Sequence, residues 1–216
     1  MHVHVNAAAS ADGKLSTRRR EQVRISGEAD FARMERIRAE SDAVLVGVGT
    51  VLADDPSLLR HDEARRAELG KAGRPARVVA DSRARTPADA AILDGPAATY
   101  LLVSEAAPAD RVRALEDAGA TVIGAGGERV ALPAALSALA DAGVEYLMVE
   151  GGGELIFSLF AEGLVDELTL YVGSLILGGR DAPTLADGEG FVGEFPRPSL
   201  VGVERMDDGV VLSYEV

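Results

Sequence analysis

The segment GVGTVLADDP, residues 47–56, ends an apolar run in two glycines and a threonine and then turns acidic. Glycine at a strand end lets a phosphate approach the backbone closely. A second turn of this kind, EGGGEL, follows EYLMV and supplies Glu150, Gly151, Gly152 and Gly153. The helical pattern opening after it offers free N–H groups and a positive dipole end to an anion. Neither turn is a P-loop, because no Gly-Lys-Ser/Thr follows, and neither is the G-x-G-x-x-G fingerprint near a first strand. An anionic, phosphate-bearing ligand is the expectation, bound in another manner. A third segment, VVADSRAR, places Asp81, Ser82, Arg83 and Arg85 just after a strand. Hydroxyl and guanidinium groups there suit a phosphate monoester such as the 2′-phosphate of NADP. An ordinary polar turn is the alternative.

Composition bounds the rest. The 216 residues suffice for one core and carry a net charge of −13, which argues against nucleic acid and anionic membranes as partners. No apolar run nears the roughly 18 residues of a membrane span, and no targeting segment is visible. Cytoplasmic residence is expected. Cysteine is absent, which removes disulfides, cysteine nucleophiles and thiolate zinc sites. The histidines are His2, His4 and His61. His2 and His4 share a strand face, but two incidental histidines are preferred over a metal pair, so no metal site is expected. Lysine occurs only at positions 14 and 71. Many acids and almost no lysine suit a halophilic surface, and a GC-rich genome would also favour arginine. Most carboxylates are therefore read as solvated surface.

The elements that must position these residues alternate. HVHVNAAAS reads as a first strand ending at the turn ADGK. EADFARMERIRAE has helical spacing, with Phe31, Met34, Ile37 and Arg38 near one face and Ser26 at its start. DAVLVGV, ARVVADS, ATYLLVS, ATVIGAG and EYLMVEGGG read as strands. DRVRALEDAG, ALPAALSALADAG and ELIFSLFAEGL read as helices. DELTLYVGSLIL and GVVLSYEV finish the chain, the last as an antiparallel edge strand. RHDEARRAELGKAGRPA reads as a polar surface insertion. The fold class expected is α/β, a largely parallel sheet flanked by helices in one domain spanning residues 1–216.

SADGK, RISGE, IRAESDAVLVGVGTVLADDPSL, ARVVADSRAR, LMVEGGGEL and GLVDELTLYVGSLILGGRDAPT occur in one order. In that order and wording the chain resembles the reductases of riboflavin biosynthesis, and more narrowly their stand-alone archaeal form. The resemblance implies a dihydrofolate-reductase-like fold, NADPH as cofactor and a homodimer. It implies hydride transfer to the ribosyl side chain of a ribosylamino-pyrimidine phosphate, giving a ribityl chain. By similarity Thr50 and Asp54 line the nicotinamide-nucleotide site, with Gly47 and Gly49 clearing the strand end. Gly151, Gly152 and Gly153 hold the pyrophosphate, and Ser82 and Arg83 lie near the 2′-phosphate. Arg38 matches an arginine that contacts the substrate phosphate, and Glu150, Asn6 and Leu58 face the substrate, with Arg60 less clearly matched. Asp54 and Glu150 are the candidate catalytic carboxylates, with positioning ranked above proton transfer. Asp12 and Asp55 are read as structural caps. Asn6 stands where the fused bacterial enzymes often have lysine. Those enzymes carry a zinc deaminase needing His/Cys ligands, which a cysteine-free chain does not offer. A pterin reductase of the same fold and a non-catalytic NADP-binding regulator are the other readings. The low aromatic content, 4%, argues against the first, and Arg38 with Glu150 against the second.

Overall fold

A computed structural model describes residues 1–216. Seven parallel strands form most of one sheet. They are β1 (His2–Ser10), β2 (Ala43–Gly47), β3 (Ala76–Ala80), β4 (Thr99–Val103), β5 (Thr121–Gly124), β6 (Tyr146–Gly151) and β7 (Glu167–Gly173). Two antiparallel strands, β8 (Ser199–Met206) and β9 (Gly209–Glu215), complete it in the order β5-β4-β3-β2-β6-β1-β7-β9-β8. The C-terminal strand β9 is antiparallel as expected, but it is not the edge. The edge is β8, whose SLVGVERM sequence reads only weakly as a strand because both its faces are largely exposed.

Six helices connect the strands: α1 (Glu28–Glu40), α2 (Val48–Asp54), α3 (Glu63–Glu68), α4 (Ala109–Asp117), α5 (Leu132–Asp141) and α6 (Gly153–Ala161). Both faces of the sheet are covered. One core cluster joins Val3, Val5, Leu45, Val78, Leu147 and Val149 to α5 and α6. The other joins Val44, Val46, Val79 and Leu101 to Val48 and Val51 of α2. β2 is buried at all five positions, so its sequence is a continuous apolar run rather than an alternating one.

Three local details differ from the sequence expectation. Ser26 does not cap α1; the N-cap is Gly27, without a side-chain cap of its own. Asp207, from the β8–β9 turn, accepts instead from the N–H groups of Ala29 (3.3 Å) and Asp30 (3.1 Å). Any Cβ at position 27 would collide with that carboxylate. Phe31 leaves the packed face of α1, is 39% exposed, and sits under the Arg24 guanidinium at 5.7 Å. The polar insertion is more than surface. It contains α3, capped by Asp62, and its Arg66 is buried. Arg66 donates to the carbonyls of Gly73 (2.8 Å), Ala39 (3.0 Å) and Ser41 (2.8 Å), tying the insertion to the end of α1.

Candidate active site

From β2 the chain runs on through β3 and β4 to β5, each strand one step further from β6, and only then crosses back to β6. β2 and β6 are neighbours, yet α2 leaves β2 on one face and α6 leaves β6 on the other. A crevice beyond the carboxyl ends of the strands opens where such connections diverge. The two glycine turns meet there. α2 begins directly after Gly47, and α6 begins after Gly152, whose φ of +98° favours glycine. A Cβ on Gly152 would lie 3.5 Å from the backbone of Gly47, and one on Gly151 would lie 3.6 Å from Thr50 Oγ1. Neither helix has a side-chain cap, so no capping side chain answers the first N–H groups, which have no intrahelical partner in any helix. Gly47, Thr50, Gly151 and Gly152 are thus brought together; Gly49 is exposed in the first turn of α2. Gly153 has a different reason to be small. The space beside its Cα is filled by the Thr184 carbonyl and the Asp187 carboxylate, which belong to the loop after β7. That loop is fastened by Asp187 N–H donating to the Gly153 carbonyl (3.0 Å).

Arg38 and Glu150 face each other at the same end of the sheet. They form a two-pronged ion pair: Arg38 Nε donates to Glu150 Oε1, and Nη2 donates to Oε2 at 2.5 Å. Each side chain is 11% exposed. Burial works against the guanidinium charge, but Glu150 outweighs it and raises the Arg38 pKa above its usual value. Glu150 is thus the anionic partner of Arg38 in this structure. The remaining Nη1 donates to the Arg60 carbonyl (3.0 Å). The Arg60 guanidinium is itself paired with Glu35 at 2.6 Å.

Asn6 lies on the strand between these partners and β7, opposite Thr169. It is 7% exposed, and its Oδ1 has no hydrogen-bond partner. A buried polar atom left unpaired costs about 1–3 kcal/mol, so the site has an acceptor in want of a donor. Asp54, at the last turn of α2, is half-buried and accepts from Gln22 Nε2 at 2.9 Å. The loop between β1 and α1 therefore reaches across the crevice mouth. The glutamine carries no motif, and only the folded chain reveals it.

The other expected residues lie apart from the crevice or are already engaged. Leu58 packs in the core with Val46, Val51 and Ile92 rather than opening toward a ligand. Asp55 caps, as read, but its partner is distant: Oδ1 accepts from Ala91 N–H at 2.8 Å. Ser82 Oγ accepts from Val130 N–H (3.1 Å), and its carbonyl accepts from the Ser104 hydroxyl (2.7 Å). Arg83 is exposed and stands 3.6 Å from Glu128. Both follow β3, next to β2. Asp12 accepts from the N–H groups of Leu177 (3.1 Å) and Gly178 (2.7 Å) and from the Ser10 hydroxyl (2.6 Å). The hydroxyl and the two N–H groups hold its pKa down to about 2.

His4 lies two residues before Asn6 on the same face of β1, and both border Thr169. Its Nδ1 is 2.7 Å from Tyr146 Oη, and its Nε2 contacts Thr169 Oγ1. Burial lowers its pKa to about 4, against the opposing pull of Glu167. No group of three His, Cys, Asp or Glu residues is arranged to hold a metal ion. No helix is long and apolar enough to cross a membrane.

The architecture belongs to the class of α/β domains that receive ligands beyond the carboxyl ends of a parallel sheet. Comparison with known proteins makes this specific. The model of the RibD C-terminal domain family matches residues 1–212, and the chain belongs to that family. It is 47% identical over 215 residues to a protein of Archaeoglobus fulgidus named 2,5-diamino-6-ribosylamino-4(3H)-pyrimidinone 5′-phosphate reductase, covering 98% of this chain and 96% of that protein. A protein of the same name from Methanothermobacter thermautotrophicus is 46% identical over 189 residues, covering 88% and 85%. Among solved structures, a pyrimidine reductase-like protein from Corynebacterium diphtheriae superposes with a TM-score of 0.80, covering 99% of this chain and 91% of that one. At 18% identity that likeness speaks for the fold alone.

Proposed function

We propose that this chain reduces 2,5-diamino-6-ribosylamino-4(3H)-pyrimidinone 5′-phosphate to its ribityl form, a step of riboflavin biosynthesis, with residues 1–216 acting as one reductase domain. The carrying observation is the 47% identity, over nearly the full length of both chains, to a relative bearing that name. The reductant is a nicotinamide cofactor, and we assign NADPH. When bound, it supplies a hydride to C1′ of the ring-opened substrate, and the accompanying proton comes from solvent or a nearby acid.

The residues of the chain fit such a group. Gly151, Gly152 and Thr50 would receive its pyrophosphate at the uncapped starts of α2 and α6. Gly47 and Gly49 would keep the strand end clear, while Gly153 serves the packing of the loop behind it. Arg83 would face a 2′-phosphate beside Ser82. Asn6 Oδ1 would accept from a substrate N–H or hydroxyl. Glu150 is held by Arg38, so its part is to fix the polar wall of the pocket rather than to move a proton. Asp54, held by one glutamine, is free to take a ribityl hydroxyl and is the better candidate for a proton path. Leu58 supports the site from the core beneath it.

The partner besides the substrate is a second copy of the chain. The edge strand β8 exposes Leu200, Val201 and Val203 at 54%, 56% and 63%. An open, apolar strand edge invites pairing, and a homodimer would cover it. Cytoplasmic residence and a halophilic surface complete the proposal.

The test is direct. Purified protein at high salt is mixed with NADPH and the diamino-ribosylamino-pyrimidinone phosphate, and loss of nicotinamide absorbance is followed. Turnover that requires the pyrimidine is expected, slower with the deaminated analogue and with NADH. NADPH binding without turnover on either pyrimidine would overturn the assignment.

A further inference from the structure

Asn6 Oδ1 is buried without a partner where the substrate is placed, and an asparagine amide can present either its oxygen or its nitrogen. The neighbouring strand holds what can fix it. His4 and Asn6 stand two apart on β1 and so share one face of the sheet. β7 runs alongside in register, with Glu167 opposite His4 and Thr169 opposite Asn6. His4, Asn6 and Thr169 are all buried. Val3 and Val5 take the other face, in the cluster with α5 and α6.

Hydrogen bonds on this face run in one direction, starting from Tyr146. Burial raises its pKa, so the phenol keeps its hydrogen, and its side-chain partner is His4 Nδ1 at 2.7 Å. Burial also lowers the His4 pKa to about 4. At neutral pH the ring is therefore uncharged, with one nitrogen carrying hydrogen and the other accepting. Glu167 decides which. Its Oε1 lies 3.6 Å from His4 Nε2, and a carboxylate favours a hydrogen on the nitrogen it faces. Arg33, His2 and Glu40 act on the ring more weakly than Glu167. Tyr146 thus donates to Nδ1, and Nε2–H donates to Thr169 Oγ1.

Thr169 Oγ1 then accepts from the imidazole, and its own hydrogen is left over. His4 is its one side-chain partner, and the unpaired acceptor opposite it is Asn6 Oδ1. With the other tautomer the threonine would donate back to His4 and have nothing to offer Asn6. The bond to Asn6 Oδ1 is open in the structure. Neighbouring strands run about 4.8 Å apart, so rotation of the asparagine side chain closes it.

We infer that His4 is a positioning residue of the substrate site: by donating to Thr169 Oγ1 it turns the threonine hydrogen onto Asn6 Oδ1 and so orients the Asn6 amide. The inference rests on the reading of Asn6 given under Proposed function. An amide oxygen has two lone pairs, so the threonine takes one and the substrate takes the other.

The test compares wild type with T169V, T169S, H4M and H4Q, using NADPH and the diamino-ribosylamino-pyrimidinone phosphate. In T169V the KM for the pyrimidine should rise about fivefold, about 1 kcal/mol. The KM for NADPH should change little. T169S keeps the hydroxyl and should behave as wild type. H4M should copy T169V, and H4Q, which keeps an N–H donor, should recover part of the loss. T169V added to H4M should cost nothing further, because both break one chain of bonds. An unchanged KM for the pyrimidine in T169V would overturn the inference, and so would an equal rise in both KM values. A second measurement needs no turnover. Nitrogen NMR of wild type should show His4 Nδ1 bare and Nε2 protonated. The Asn6 side-chain amide should give one ordered pair of signals that broadens in T169V. The reverse tautomer, or Asn6 signals alike in the two proteins, would overturn the inference. If wild type reduces no pyrimidine while these signals behave as expected, the assigned reaction fails and the orienting of Asn6 by His4 stands.

Discussion

The two ends of the parallel sheet treat their polar groups in opposite ways. At the end where the strands begin, polar atoms close on one another. Asp42 accepts from the N–H groups of Glu145 (3.0 Å) and Tyr146 (2.9 Å) and from Lys71 (2.5 Å). Asp166 accepts from Val3 N–H (2.7 Å), and His4 Nδ1 is 2.7 Å from Tyr146 Oη. At the end where the strands finish, atoms are left over. Asn6 Oδ1 is unpaired, α2 and α6 start without side-chain caps, and glycine clears the space around them. The contrast is one of degree, because Arg77 Nε at the start of β3 is also buried without a partner; the unpaired Asn6 Oδ1 is the one that lies beside the proposed pocket. Arg38 and Glu150 belong to the open end but are closed on each other. They are the place to break the contrast first.

Glu150→Ala should have the largest effect. It leaves the Arg38 guanidinium buried with only the Arg60 carbonyl as partner. Removing one member of a buried pair costs about 3–5 kcal/mol. Urea unfolding should show a loss of that order, and Arg38→Met added to it should recover much of it. A Glu150→Ala protein as stable as wild type would mean that solvent already screens the pair, contrary to its burial.

His4 sharpens the contrast as a buried group whose two ring nitrogens both have partners beside the unpaired Asn6. Its pKa is about 4 in the folded chain against 6.5 for the free residue. The unfolded chain therefore binds the extra proton first as pH falls. The contribution is fully present above pH 6.5, declines through the window from 6.5 to 4, and is gone below it. Its upper limit is about 3 kcal/mol at 1.36 kcal/mol per pKa unit. Denaturation at pH 7, 5.5 and 4 should show this decline, and His4→Asn should flatten it. A slope unchanged by the substitution would assign the acid sensitivity to other groups.

The same contrast explains what the sequence disclosed. The alternation of apolar runs and helical spacing is enough to place β1 to β7, because every one of them except the edge strand β5 buries apolar residues. β8 escaped notice because Leu200, Val201 and Val203 point into solvent and give no pattern of burial. The glycine turns were visible as composition, and their convergence follows from β2 and β6 becoming neighbours, which no local pattern encodes. Partnerships across the chain were invisible for the same reason. Asp207 capping α1, Asp187 beside Gly153 and Gln22 on Asp54 each join residues far apart in sequence. Leu58 differs in kind: the family motif places it on the substrate side, and the structure adds that its side chain also belongs to a core cluster.

The smallest of the three effects separates glycine as a ligand contact from glycine as packing. Gly152 and Gly153 are adjacent, yet their surroundings differ. A Cβ at 152 meets the Gly47 backbone at an ordinary 3.5 Å, so the space admits it and the cost comes from φ +98°. A Cβ at 153 runs into Asp187 and the Thr184 carbonyl. Gly152→Asp should therefore leave a folded but strained protein that repels an anion, weakening NADPH binding by about tenfold or more, near 1.4 kcal/mol. Gly152→Ala is the control for strain without charge and should fall between the aspartate variant and wild type. Gly153→Ala should instead lower the Tm by displacing the loop after β7. If Gly152→Asp bound NADPH as wild type does while Gly153→Ala lost it, the pyrophosphate would lie against the α6 start on the Asp187 side, and the crevice between Gly47 and Gly152 would be only a packing contact.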